Sequence, residues 1–232
     1  MPPRILDPRS VPFSGTDSHL PEVPVSRLTV SALRVRFLRG YEGTPEFPGD
    51  GAGLLYAARE PTRAAVLLPL VHRDNGMHVL LTRRADHLRD HAGQISFPGG
   101  RSESIDADAA ATALREAEEE VGLPRSQVQV IGCLPNYTTV TSYVVTPVVA
   151  IVQPPLALSL DAFEVAEAFE VPLQFLMTPA HHRRHVFDYG GAQRQFLSMP
   201  WQGQAADGSP REYFIWGATA AMLRNLYGFL AR

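Results

Sequence analysis

The sequence predicts an α/β fold. Three observations carry that expectation: strand-sized apolar runs at 64–71, 78–82, 127–134 and 143–152, a strongly patterned helix between the second and third of them, and glycine- or proline-marked turns at the junctions. A chain of 232 residues with 45% hydrophobic residues can bury one sizeable core. The simplest organisation is a single domain over residues 26–232 preceded by an arm, residues 1–25.

In the arm, prolines at positions 2, 3, 8, 12, 21 and 24 favour an extended, loosely ordered chain. Residues 26–39 read as a short helix closed by Gly40, with Leu28, Ala32, Val35 and Leu38 towards one side. All its charges are basic: Arg27, Arg34, Arg36 and Arg39. Arginines in water on a packed helix are the plainer reading; docking on phosphates, a partner subunit or a membrane surface is the alternative. Residues 42–53 form a connector by composition, since G-D-G-A-G lacks the spacing of a dinucleotide-binding turn. Strands 64–71 and 78–82 then flank the turn His72-Arg73-Asp74-Asn75-Gly76.

The most informative stretch runs from Phe97 to Leu123. Phe97-Pro98-Gly99-Gly100 leads into a helix that Asp106 or Asp108 can cap and that Gly122 with Pro124 stops. Ala110, Ala113, Leu114, Ala117 and Val121 make an apolar stripe, while Glu116, Glu119 and Glu120 share another side at i, i+3 and i+4. Like charges at that spacing destabilise a helix by roughly 0.2–0.5 kcal/mol per pair. A divalent cation reverses the sign, because magnesium takes one or two carboxylates and fills its remaining positions with water and phosphate oxygens. Glu118 faces solvent and stays outside the group. Between residues 83 and 101 the chain carries Arg83, Arg84, Arg89 and Arg101, an anion clamp in prospect because guanidinium groups pair bidentately with phosphate oxygens.

Two motifs in this stretch resemble a known family. Arg115-Glu116-Ala117-Glu118-Glu119-Glu120-Val121-Gly122-Leu123 is similar to the R-E-U-x-E-E-x-G-U half of the Nudix box, with Gly99-Gly100 where its opening glycine belongs. The first half departs: the sixth residue after Gly100 is Asp106 rather than glutamate, and eight residues instead of seven separate it from Arg115, as a one-residue insertion would leave it. Upstream, Leu80-Leu81-Thr82-Arg83-Arg84-Ala85, then Arg89, Gly93 and Phe97-Pro98-Gly99-Gly100, resembles the signature of the coenzyme A pyrophosphatase branch of the Nudix hydrolases. Together the motifs cover residues 80–123.

That resemblance implies an α/β/α sandwich around a mixed β-sheet. It also implies hydrolysis of the diphosphate bond of coenzyme A or an acyl-coenzyme A to adenosine 3′,5′-bisphosphate and 4′-phosphopantetheine or its acyl form. Mg2+ or Mn2+ would be held by Glu116, Glu119 and Glu120, which double as the catalytic group, and would offset phosphate charge and acidify a water. Arg84 and Arg89, on signature positions, with Gly99, Gly100 and Arg101 are the expected substrate contacts; Arg83, His87 and His91 are bystanders. Arg115 would steady the glutamates through Glu119 at i+4. Two other readings stand beside this one: a Nudix hydrolase for another nucleoside diphosphate derivative such as ADP-ribose or a dinucleotide, and a nucleotide-binding module without turnover. Nudix proteins are frequently homodimers, and the N-terminal arm or helix is a candidate contact.

Downstream, residues 136–142 form a polar, threonine-rich loop that reaches substrate or merely connects. Residues 161–171 place Glu164, Glu167 and Glu170 either as an added ligand or base, or along a solvated edge. His181-His182-Arg183-Arg184-His185 suggests a metal cluster, but neighbouring side chains diverge in regular structure, so a solvated loop is preferred. Strands follow at 194–197 and 211–216, then a helix from about Ala218 packing through Met222, Leu223, Leu226 and Leu230, with Trp216 and Tyr227 in the core.

A formal net charge of −3 argues against a general nucleic-acid binder. Cys133 is the only cysteine, which excludes an intramolecular disulfide and a paired-cysteine zinc site. With no secretory pattern at the N-terminus and no apolar run of membrane-spanning length, a cytoplasmic protein with no membrane partner is the expectation.

Overall fold

The computed structural model describes residues 7–50, 60–88, 91–189 and 192–232. Its centre is a mixed sheet built on β2 (Thr62–Arg73) and β8 (Tyr143–Val152), which run parallel from Thr62 opposite Tyr143 to Val71 opposite Val152. The path through the sheet is β4 (Ile95–Ser96), β3 (Gly76–Arg84), β2, β8 and β6 (Val128–Cys133), and every pairing except β2 with β8 is antiparallel. The β2–β3 hairpin turns where expected, Gly76 supplying a φ of 118°. The two strands pair only near that turn, from Leu70 to Arg73. Beyond it β5 (Gly99–Arg101) pairs with Ala64–Val66 of β2, and β9 (Val165–Pro172) pairs with β3, while β7 (Tyr137–Thr138) pairs with β8.

Alternation along the strands builds a core on both faces. Ala65, Leu67 and Val71 of β2 join Val148, Ala150 and Val152 of β8 against α2 (Ala109–Val121). Leu68 and Leu70 join Val149 and Ile151 on the opposite face, with α1 (Val30–Leu38), the short α3 (Leu173–Leu176) and α4 (Gly217–Leu230). Helices thus cover both faces of one mixed sheet, the expected sandwich.

A second, antiparallel sheet joins the expected strands at 194–197 and 211–216 to two that the sequence does not signal. Its order is β1 (Phe13–Thr16), β10 (Arg183–Tyr189), β11 (Ala192–Gln204) and β12 (Pro210–Trp216). Leu197, Met199, Tyr213 and Ile215 share the core of α4, so that helix is buried on almost every side and not only through Met222, Leu223, Leu226 and Leu230. Tyr227 is buried as expected, and Trp216 is half-buried.

Three local expectations need correction. The packing face of α1 is Leu33 and Phe37 with Leu28 just before the helix, whereas Val35 and Leu38 are exposed. The ring of Phe37 lies where a side chain on Gly132 of β6 would be, so the seam follows that close approach. The arginines here bond within the chain: Arg27 donates to the carbonyls of Leu230 and Ala231, Arg36 to that of Phe229, and Arg34 to Gln129.

The histidine run is not a solvated loop, since His182 and His185 are buried. His182 Nε2 donates to the Leu176 carbonyl at 2.8 Å, and burial lowers its pKa to about 4, keeping it neutral. His185 Nδ1 donates to the Val11 carbonyl at 2.8 Å and Nε2 accepts from Ser198 Oγ at 2.8 Å. The N-terminal segment is extended but pinned down: Val23 is fully buried, and Asp17 pairs with Arg184 at 2.6 Å and with Arg224 at 3.1 Å. Glu46 closes the ring by pairing with the same two arginines, at 2.7 Å each. Of the 42–53 connector, residues 51–53 lie outside the described residues. No described helix is long and apolar enough to cross a membrane.

Candidate active site

The site grows from the ends of α2. Asp108 is the cap, its Oδ1 accepting from Ala111 N–H at 2.8 Å, and Gly122 ends the helix in the left-handed conformation at φ 65°. Ala113, Ala117 and Val121 are buried against the sheet, which fixes the rotation of the helix. Glu120 is then turned inward and 6% exposed, Glu116 is half-buried beside it, and Glu119 stands at the open edge. Glu118 points away and pairs with Arg125 at 3.3 Å.

Strand β5 threads its glycines against these carboxylates. The Gly99 N–H donates to Glu120 Oε2 at 3.2 Å. Gly99 has a φ of 154°, and a side chain there would meet the Ala65 carbonyl oxygen at 2.5 Å. A side chain on Gly100 would instead meet the carboxylate of Glu116, at 2.6 Å. Both glycines are required by close approach, one to backbone and one to a functional group.

Arg115 organises the acidic group from behind. Its Nε and one terminal nitrogen grip Asp106 at 3.1 and 2.9 Å, the other terminal nitrogen donates to Glu116 and Glu119 at 3.0 Å each, and the Arg101 carbonyl accepts at 3.1 Å. The Asp106 carboxyl is held well below the usual carboxylate range by that guanidinium, which is itself raised. Thr112 Oγ1 and the Glu103 N–H also donate to Asp106. Asp106 is thus not the helix cap but the acid that holds Arg115.

Electrostatically, burial dominates at the two inner glutamates. Burial pushes Glu120 up to about 8, against the help of the Gly99 N–H, and Glu164 and Glu116 push the same way. Glu116 is raised too, by burial first, with Arg115 opposing and Glu119 and Glu164 adding. Arg84 acts on Glu120 in the lowering sense, and its Nε is buried with no hydrogen-bond partner among the described residues. A buried guanidinium nitrogen without a partner is unusual and marks Arg84 as a residue whose full set of contacts lies outside the described residues.

Of the other candidates, Arg101 contributes its carbonyl, and its exposed side chain has no ion-pair partner among the described residues. Arg89 lies outside the described residues. Arg83 pairs with Asp86 at 2.7 Å and Glu167 at 3.7 Å. The three downstream glutamates separate. Glu167 is buried under Arg211, Tyr213 and the Ala206 N–H, and Glu170 pairs with Arg73. Glu164 alone faces the site, its carbonyl accepting from Ala85 N–H at 2.9 Å in the register next to Arg84. A cavity of about 610 Å³ opens by the start of α2 between Arg63, Glu103, Asp106, Asn136 and Thr146; it adjoins Asp106 but does not contain the glutamates.

Residues 61–187, more than half of the chain, match the NUDIX domain. The protein designated uncharacterized Nudix hydrolase NudL of Escherichia coli K12 is 47% identical over 165 residues, covering 71% of this chain and 80% of that one. The chain belongs to the Nudix hydrolase family. The like-named protein of Shigella flexneri serotype 5b is 46% identical over 172 residues, covering 72% of this chain and 84% of its own length. Among solved structures, a Caenorhabditis elegans Ap4A hydrolase is 19% identical with a TM-score of 0.43, over 50% of this chain and 85% of that one. The NUDIX domain of Shewanella oneidensis NrtR complexed with ADP ribose is 16% identical with a TM-score of 0.40, over 60% and 82%.

Nudix hydrolases generally use divalent metal ions. In kind, the donors fit: Glu116, Glu119 and Glu120 supply hard oxygen, and burial raises the pKa of the inner two, which a bound cation would offset. In place, each of the three is engaged with a protein partner. No three acidic, histidine or cysteine side chains among the described residues converge on one point at ligand distance, because Arg115 holds Glu116 and Glu119 and the Gly99 N–H holds Glu120.

Proposed function

We propose that this Nudix hydrolase cleaves the diphosphate bond of coenzyme A or an acyl-coenzyme A, releasing adenosine 3′,5′-bisphosphate and 4′-phosphopantetheine or its acyl form. The observation carrying the reading is the placing of Glu116 and Glu120 together under the glycines of β5, with Arg84 near enough to act on Glu120. That is a place for a divalent ion and a phosphate side by side. The choice of coenzyme A rests on the residues from Leu80 to Gly100, whose spacing resembles that branch of the family.

Glu116, Glu119 and Glu120 would hold Mg2+ or Mn2+, which supplies charge neutralisation at phosphorus and a more acidic water. Arg115 and Asp106 keep the glutamates in register. Arg84, with Arg89 and Arg101, would draw the phosphate oxygens and hold the bond in line for attack. Water oxygen bonds to phosphorus as the bridging oxygen departs, and a carboxylate accepts the water proton; Glu164 and Glu120 are the candidates by position. A substrate panel with chromatographic product analysis tests this. Mg2+-dependent appearance of adenosine 3′,5′-bisphosphate supports it; faster turnover of ADP-ribose or a dinucleotide moves the substrate elsewhere, and ligand binding without turnover refutes the enzyme.

A further inference from the structure

One exposed aromatic pair has no role in the chemistry above. Phe163 is 67% exposed, and its ring meets the ring of His87, itself exposed, edge to face at 5.0 Å between centroids. An exposed ring with a second ring fixed against its edge offers a flat apolar face that a flat ligand can cover.

The pair is fastened to the active site by backbone on both sides. Asp161 N–H donates to the Glu120 carbonyl at 3.0 Å, and Ser159 N–H to the Val121 carbonyl at 3.0 Å, so this loop is bolted to the end of α2. Asp161 then closes a tight turn: its Oδ1 accepts from Phe163 N–H at 2.9 Å, and its carbonyl accepts from Glu164 and Val165. Phe163 is therefore held at a fixed offset from Glu164, the loop carboxylate that faces Glu116 and Glu120. His87 is three residues from Arg84 on the chain that Ala85 ties to Glu164 at 2.9 Å. The two rings are thus carried by the same two segments that carry Glu164 and Arg84.

We propose that Phe163, buttressed by His87, is the stacking platform for the adenine ring of the substrate. A nucleobase offers a π-face of matching size, and base–aromatic stacking needs no hydrogen bonds from the protein. Among the described residues, the ring contact on Phe163 is that of His87, which meets it edge to face at 5.0 Å. This inference rests on the reading of the site as one for an adenosine diphosphate derivative, coenzyme A included.

The test compares Phe163→Ala, Phe163→Leu and Phe163→Tyr in the full-length protein. Phe163→Ala should raise KM for coenzyme A about tenfold, with a far smaller change in kcat, and Phe163→Tyr should restore it while Phe163→Leu does not. In calorimetry, Phe163→Ala should weaken adenosine 3′,5′-bisphosphate by the same factor and leave 4′-phosphopantetheine unaffected. If Phe163→Leu restores KM, or if the loss grows with acyl-chain length, the ring contacts the pantetheine arm and the proposal fails. An unchanged KM also overturns it. Should the wild type prefer ADP-ribose to coenzyme A, the substrate assignment fails alone, because the same Phe163 series run on ADP-ribose still reads the platform.

Discussion

Substituting the two glycines of β5 separates a catalytic contact from a structural one. In Gly100→Ala the new methyl would sit 2.6 Å from the Glu116 carboxylate, where ordinary contact begins near 3.4 Å. The carboxylate is the far end of a flexible side chain, so it retreats by about 0.8 Å at little cost to the fold. A misplacement of about 1 Å at a reacting centre is worth about a hundredfold in rate. The expected outcome is a kcat about a hundredfold lower on the diphosphate substrate, with a urea midpoint close to the parent's. Gly99→Ala provides the contrast. Its methyl meets backbone, the Ala65 carbonyl oxygen at 2.5 Å and Val66 Cα at 2.6 Å, from a φ of 154°, so this variant should lose stability first and activity only as a consequence. The reasoning is refuted if Gly100→Ala turns over like the parent, since Glu116 would then stand away from the reacting atoms.

Other outcomes follow from the same geometry. Asp106→Asn takes the charge from the acid that grips Arg115, and should lower metal affinity or activity about ten- to hundredfold, read from Mg2+ titration of the rate. Glu167→Ala removes the shared acceptor of Arg211, the Tyr213 hydroxyl and the Ala206 N–H at the join between the two sheets; Arg211 can turn to water and Tyr213 keeps the Gln204 carbonyl, so the cost should be about 1–3 kcal/mol in urea unfolding, with the rate per folded molecule spared. Loss of metal dependence without loss of stability would show that Glu167 belongs to the site instead. For pH, Glu120 binds its proton more tightly folded, up to about 8, than unfolded near 4.5, so ionising it opposes folding. Metal-free protein should therefore lose stability as pH rises from about 4.5 to 8, and Glu120→Gln should flatten that slope in a Tm–pH series.

What sequence reasoning reached here was what short-range chemistry specifies. Glu116, Glu119 and Glu120 were grouped by helical spacing, and Gly122 and the Asp106–Asp108 region bounded the helix within a turn. The strands of the central sheet were legible because β2 and β8 are buried on both faces and read as unbroken apolar runs. Long-range partners were not legible. Nothing near His182 signals that Arg224 and the Leu176 carbonyl will satisfy its ring, or that Asp17 lies beside that same arginine, so polar residues destined for burial looked like surface. The face of α1 was misread because a short helix touching its neighbour through Phe37 at Gly132 needs only two apolar contacts, and Val35 and Leu38 were free to be exposed. Asp106 eluded assignment for a third reason: it folds back from before the cap, where spacing along the helix says nothing about reach.

The four-charge ring around Asp17 makes the beginning of the chain a keystone. Arg224 sits in the middle of the last helix, 3% exposed, and two of its partners, Asp17 and Glu46, come from the first fifty residues. A version shortened past Asp17 would leave that guanidinium in the interior with half its counter-charge missing, so trimming for convenience at this end amounts to core surgery, whereas a fusion partner placed ahead of Asp7 leaves the ring whole.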